Sequence, residues 1–448
     1  MKIKDSTLSA ANSIFVILVI STFPLSIIFG PPAINASIIL TIISGSYYLY
    51  REKSYHFFNK QIFYFAIIFW LYLVINSIFF NFSGNGLEKS FFYLRFILFS
   101  FFLFNLIKLL KEKIIFVYCI MFLITLFLAS DIIFQFLNFT KYGNKDIFGF
   151  PAAMCSWNNS IKVDCERFSG FFNKELIAGN YLVLFGLTSI FLLTKLIKKN
   201  RIKILFFFFF ISFFFVAIVI SGERNAVLMS FIIILVNLIF NSEFRKILGF
   251  YIIKLMIIFS ISFILLDHIK HRYYEYPSAL FFQTQGEPLI HKVLNNQYGM
   301  HSLNAYSIFL DNKFLGSGVR SFRSECKKYS VEIIAQKFAG KLVKKADMRK
   351  LNNGCSTHPH NLYFELLAET GIFGLIFFLL FLSSIFIQKF SFLKNKTEIS
   401  ILASVLIALL FPLKPTGSIF STMYSGYIWF FLAFYLAFIE LKKTYYEK

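Results

Sequence analysis

Apolar residues fill long blocks of the chain, separated by short polar stretches, and many blocks reach the roughly 18 to 20 residues that cross a hydrocarbon core as a helix. Spans are expected near 8–29, 33–50, 61–81, 91–109, 114–136, 179–195, 204–221, 226–242, 247–266, 371–388, 398–413 and 423–441. This is an all-α, polytopic membrane pattern with about 12 transmembrane helices, read as a single membrane domain over 1–448. Two connections are long, 137–178 and 267–370. Within the second, Leu303, Tyr306, Leu310 and Phe314 recur at roughly helical spacing until the GSG at 316–318 breaks the pattern. The stretch SVEIIAQKFAGKLVKKADMRKL reads as another amphipathic helix, so a helical cap over the membrane mouth is expected.

Composition agrees with the pattern. The chain of 448 residues is 57% hydrophobic and 15% charged, with 65 Phe, against about 25% charged in a soluble domain. A net charge of +22 could suggest nucleic acid, but Lys and Arg lie largely in short loops between apolar runs, with no basic domain and no nucleic-acid motif. Positive charge falls on alternate connections, which by the positive-inside rule puts both termini in the cytoplasm and the two long loops outside. The first apolar run lacks a small-residue cleavage site and is read as a retained helix. Cys155 and Cys165 share the first long loop, and Cys326 and Cys355 the second, which reads as two disulfides in an oxidising compartment. Cys355, His358 and His360 also have crude metal-ligand spacing, but a tidy second pair is missing.

The candidate chemistry gathers in the outer loops. In CSTHPHNLYFELLAETGIFG (355–374), Pro359 suits a first helical turn and Ser356 or Thr357 a cap, which would set His360 and Asn361 at a helix N-terminus where neutral imidazole is favoured. An interfacial, hydrogen-bonded histidine is the competing reading of His360. Glu365 and Glu369, four apart, share a helix face that must point into protein or water, and with His358 they are expected to support His360. Arg224 in SGERNAVL, Arg167 and Glu175 in CERFSGFFNKELIAGNYL, Arg320 and Arg323 in GSGVRSFRSEC, and Lys414 in FPLKPTGSIFS lie in outer segments. Arginine matches phosphate oxygens with paired, fixed donors, although each cation alone also fits a headgroup-snorkelling role. No Asp-x-Asp pair, HExxH, Walker loop or GxSxG is present, so metal-assisted, ATP-driven and serine-nucleophile schemes lack their usual parts. A histidine base with cations fits displacement at a sugar carbon bearing a diphosphate. Arg95 and Asp131 inside spans leave a solute transporter as a reading of another class.

The segment HNLYFELLAETGIFG, with His-Asn followed by two spaced glycines, closely resembles the signature of the O-antigen ligase and polymerase superfamily of bacterial envelope membrane proteins. SGERNAVL, RFSGFFNKELIAGNYL and DNKFLGSG resemble that superfamily in the same order. The resemblance implies a GT-C-like, inverting, metal-independent membrane glycosyltransferase without a cofactor. Its donor would be a polyprenyl (undecaprenyl) diphosphate-linked glycan and its acceptor lipid A-core or another glycan, at the periplasmic face among membrane lipid. It further implies that His360 activates the acceptor hydroxyl and that Arg224 binds diphosphate. A second family arginine precedes the glycine segment of the long loop; here His301 lies near that position, and Arg320 and Arg323 follow it. The shared motifs fit a ligase and a repeat-unit polymerase alike, with His-Asn before Gly-x-x-Gly closer to the ligase pattern.

Overall fold

The computed structural model describes residues 9–52, 60–80, 85–138, 145–149, 155–157, 163–165, 167–173, 175–265, 267–275, 297–329, 333–334, 337, 355–386 and 397–446. Helices cover the predicted apolar runs: α1 Ala10–Ser26, α2 Pro31–Glu52, α3 Lys60–Phe79, the short α4 Asn85–Phe92, α5 Leu94–Leu110 and α6 Ile115–Leu137. They continue as α7 Ala178–Thr194, α8 Asn200–Ile220, α9 Arg224–Phe240 and α10 Ser242–Leu265. Next come α11 Gln297–Asp311 and α12 Phe322–Glu325 in the second long loop, then α13 Leu362–Phe386, α14 Thr397–Leu409 and α15 Thr422–Tyr446. Among the described residues, 7 helical stretches are long and apolar enough to cross a membrane, and α7, α9 and α14 are shorter apolar helices. One of the 7 is the 53-residue stretch Asn85–Leu137, which a 3₁₀ turn at Lys111–Ile114 divides into α5 and α6.

Among the described residues the fold is helical except for one antiparallel ribbon in the first long loop, β1 Cys155–Trp157 against β2 Val163–Cys165. Its register sets Cys155 opposite Cys165, as the expected pairing requires; their side chains lie outside the described residues. The second amphipathic helix expected over 330–351 also falls largely outside them.

Aromatic side chains fill the core because their area supplies much of the packing between helices. On α15, the most enclosed of the candidate spans, Phe430 stacks on Phe23 of α1 with ring centroids 4.7 Å apart and meets Phe185 of α7 at 5.8 Å. The Phe-rich run of α8 is divided, with Phe207, Phe214 and Phe215 turned inward and Phe209 exposed, as a helix bordering lipid requires. A smaller cluster lies in the segment read as a cap: Ala305 and Ile308 of α11 and Phe322 of α12 pack with Cys326, Ala368 and Phe364. The Cys326–Cys355 disulfide closes this cluster, joining positions 29 residues apart.

The cap is hydrogen-bonded to α13 through backbone. Ser317 and Gly318 donate to the carbonyls of Ala368 and Glu369 at 3.0 and 2.8 Å, while Ile372 and Phe373 donate to Lys313 and Phe314 at 2.9 and 3.3 Å. These exchanges replace helical bonds where α13 is broken by Gly371, whose φ is +66°. A Cβ on Gly371 would stand 2.3 Å from the Phe314 carbonyl oxygen, and one on Gly316 would stand 2.5 Å from the backbone of residues 369–371. The two glycines are therefore required by a backbone crossing. Of the Gly-x-x-Gly pair, Gly374 is the one that meets a neighbouring helix: a Cβ there would stand 3.0 Å from the Tyr72 ring of α3.

Candidate active site

The segment before α13 is held by a cap four or five residues later than its sequence suggests. Asn361, not Ser356 or Thr357, is the cap: its Oδ1 accepts from the backbone of Tyr363 at 3.0 Å and Phe364 at 3.2 Å. Its Nδ2 donates to the Pro412 carbonyl at 2.8 Å, which ties the segment to the α14–α15 loop. His360 precedes the cap with φ +54°, a left-handed conformation rarely taken by a β-substituted residue and one that concentrates at functional sites. The turn is clamped from the α14–α15 loop, where Thr416 donates its backbone N–H to the His360 carbonyl at 2.8 Å and its carbonyl lies 3.3 Å from His358 Nε2.

Three histidines meet here. The His360 ring is 4.2 Å from that of His358 and 5.2 Å from that of His301, centroid to centroid, and Tyr298 stands edge-on to it at 5.7 Å. His301 reaches this position from α11, 1% exposed. The Ser356 hydroxyl lies 3.2 Å from His360 Nε2. Burial, then the positive field of His301, lowers the His360 pKa to about 4; burial, then His360, lowers that of His358 to about 4. Both imidazoles are therefore neutral near pH 7, the form that can accept a proton.

The two glutamates of α13 act as staples. Glu365 accepts from the Ser418 hydroxyl at 2.5 Å and the Ile419 backbone at 2.9 Å; Glu369 accepts from the backbone of Arg320 at 2.6 Å and Phe322 at 3.1 Å. Each carboxylate thereby fastens one outer loop to the first half of α13. Arg320 has φ +65° and is close enough to His358 to depress its basicity, which brings this arginine to the histidine cluster. Arg323 is exposed on α12. Lys414 is 2% exposed, with its Nζ 5.8 Å from the centre of the Tyr424 ring.

A second polar group surrounds the α8–α9 turn. Glu223, 6% exposed, accepts from the backbone of Gly179 and Asn180 at 2.8 and 3.1 Å and from the Asn180 side chain at 2.9 Å. Burial raises its pKa to about 7, and Arg167 and Arg272 pull it down. Arg167, Arg224 and Arg272 all act on Tyr273, which gathers them about this turn. Arg167 Nε is buried without a hydrogen-bond partner among the described residues. Arg272, 4% exposed, donates its Nε to the Gly222 carbonyl at 2.9 Å, two residues from Arg224. Sequence reasoning missed Arg272 and Glu223. The signal was present: an arginine beside two tyrosines just beyond the α10 run, before the glycine segment where the second arginine is expected. Nearby, α7 contains a π-helical stretch, Leu182–Leu187, of a kind frequent at functional sites.

Other expectations separate from these groups. Glu175 is exposed, and its side chain has no hydrogen bond among the described residues. Asp131 Oδ1 accepts from the Ile147 backbone at 2.8 Å and so anchors the first long loop. Arg95 donates to the Phe92 carbonyl at 2.8 Å and lies over the Phe96 ring at 4.4 Å. Both of the charges that suggested a solute path thus have structural partners.

No curated protein matches the chain significantly. Residues 207–379, a segment that contains Arg224, Arg272, His301, Arg320 and His360, match the family model described as O-antigen ligase. Over that segment the chain is similar to the O-antigen ligase family.

Proposed function

We propose that this protein is an O-antigen ligase-type membrane glycosyltransferase, transferring a glycan from polyprenyl (undecaprenyl) diphosphate to a lipid A-core acceptor at the periplasmic face. The observation that carries the reading is His360: a strained, clamped imidazole in a three-histidine cluster, kept neutral by burial, inside the family-matched segment. In the proposed reaction the acceptor hydroxyl gives its proton to His360 while its oxygen attacks the anomeric carbon from the face opposite the diphosphate. The carbon–oxygen bond to the diphosphate breaks, polyprenyl diphosphate leaves, and the configuration inverts. Charge growing on the departing phosphate is met by guanidinium groups, for which Arg224, Arg167 and Arg272 are the assigned set and Arg320 the one beside the histidines. Arg272 takes the role of the second family arginine. No step in this scheme calls on a metal or a cofactor.

Outward placement of these segments rests on the distribution of Lys and Arg among the loops. The test separates envelope glycolipids from a native host carrying wild-type protein or His360→Ala. A ligase predicts that polymer accumulates on the lipid carrier and disappears from lipopolysaccharide. Lipopolysaccharide with single repeat units would identify a polymerase instead. Unchanged glycolipids at equal expression would overturn the role given to His360.

A further inference from the structure

Among the described residues, Lys414 differs from the arginines of the candidate site. It lies in the loop between α14 and α15, two residues before Thr416, whose backbone holds both His358 and His360. At 2% exposed it keeps little contact with water, and among the described residues neither a carboxylate nor a hydrogen-bond acceptor replaces the water it has lost. Its Nζ stands over the Tyr424 ring from α15, and among the described residues no charged group from α13, α14 or α15 acts on it. Arg167 and Arg272 at the α8–α9 turn differ, since both act on the buried Glu223 carboxylate.

A buried ammonium without a counter-charge is unfavourable, and the group that would offset the loss is an anion from outside the chain. The nearby chemistry narrows the anion. A Lys ammonium is a compact point charge suited to a phosphoryl oxygen, and under the proposed function the substrate that reaches His360 carries a diphosphate. We propose that Lys414 receives a phosphoryl oxygen of the lipid-linked diphosphate, completing from the histidine side a clamp whose arginines lie at the α8–α9 turn.

Burial holds the Lys414 pKa at about 7, so part of the population is neutral amine in the absence of substrate. Arrival of the anion favours the ammonium, and donor binding then draws one proton from solvent onto the amine. Above pH 7 this makes binding of the diphosphate proton-linked. The proposal rests on the glycosyltransferase reading for the identity of the ligand, but its test needs no transfer reaction.

The probe is farnesyl diphosphate, titrated calorimetrically into the detergent-solubilised full chain at pH 8 in buffers of different ionisation enthalpy. Wild type should bind with uptake approaching one proton. Lys414→Arg should retain binding within about threefold and take up none, because guanidinium is already charged. Lys414→Met should lose about tenfold or more in affinity while its thermal midpoint rises, since methionine removes the desolvated amine. That rise separates a binding role from a structural one, and Lys414→Gln serves if the methionine variant aggregates. The same titrations in nanodiscs with and without phosphatidylglycerol test a second source of phosphoryl oxygen. Competition by that lipid in wild type that is lost in Lys414→Met would overturn the diphosphate assignment in favour of a headgroup. Equal affinity and equal proton uptake in wild type and Lys414→Met would overturn the proposal altogether. Diphosphate binding that depends on Lys414 in a protein without glycan transfer would leave this proposal standing and remove the glycosyltransferase reading.

Discussion

The α8–α9 turn and the segment before α13 are both buried, polar and built from few residues, yet they handle charge in opposite ways. At the turn, guanidinium groups gather around one buried carboxylate, Glu223, so positive charge is partly compensated before any ligand arrives. Before α13, three imidazoles crowd one another, each disfavouring protonation of its neighbour, and the adjoining loop adds Lys414. The first arrangement is suited to holding an anion, the second to keeping an imidazole neutral, the form that can accept a proton. A displacement that moves a proton at one end and releases a phosphate at the other needs both.

The contrast can be tested from its largest consequence downward. His360→Ala should lower glycan transfer by about 10²- to 10⁴-fold, the usual range for loss of an acid–base group, with little change in donor affinity. A matching fall in donor affinity, measured by titration, would erase the division of labour. Arg224→Lys and Arg272→Lys keep the charge but lose the paired donors. Each should reduce transfer by about 10²-fold and weaken donor binding, read as a combined change in kcat and KM. Gly371→Ala adds a Cβ where φ is positive and a carbonyl oxygen is in contact, and should cost about 2 kcal/mol or more of stability in detergent melts. The smallest effect concerns pH. A lowered histidine pKa means the folded state prefers the neutral ring, so the stability it gives is present above pH 6.5 and lost as pH falls towards about 4. The melting temperature should drop across that window, and His358→Asn should make the drop shallower.

The helices were legible because each apolar run is long and bounded by charge, and His360 because an unusual residue string surrounds it. The Asn361 cap was misplaced by one turn of the chain, since Ser356, Thr357 and Asn361 all carry capping chemistry and only the backbone shows which carbonyl and amide groups are free. Glu365 and Glu369 were correctly placed on an inward face, but what they bind is main chain from loops far away in sequence, which no periodicity reports. Arg272 was hidden for a related reason. Its importance comes from Gly222, fifty residues away, and not from its own neighbours. Glu175 shows the converse, a carboxylate in a suggestive string that the fold leaves in water.

The crossing at Gly371 makes the cap inseparable from the membrane domain. A version of the chain lacking residues 313–318 would leave the carbonyls of Ala368 and Glu369 and the amides of Ile372 and Phe373 without their present partners, at the point where α13 turns towards its long apolar run. The cap therefore does not behave as a cassette that could be exchanged wholesale to accept a new glycan. The short run from Lys313 to Gly318 has to arrive with α13 for either to complete its backbone.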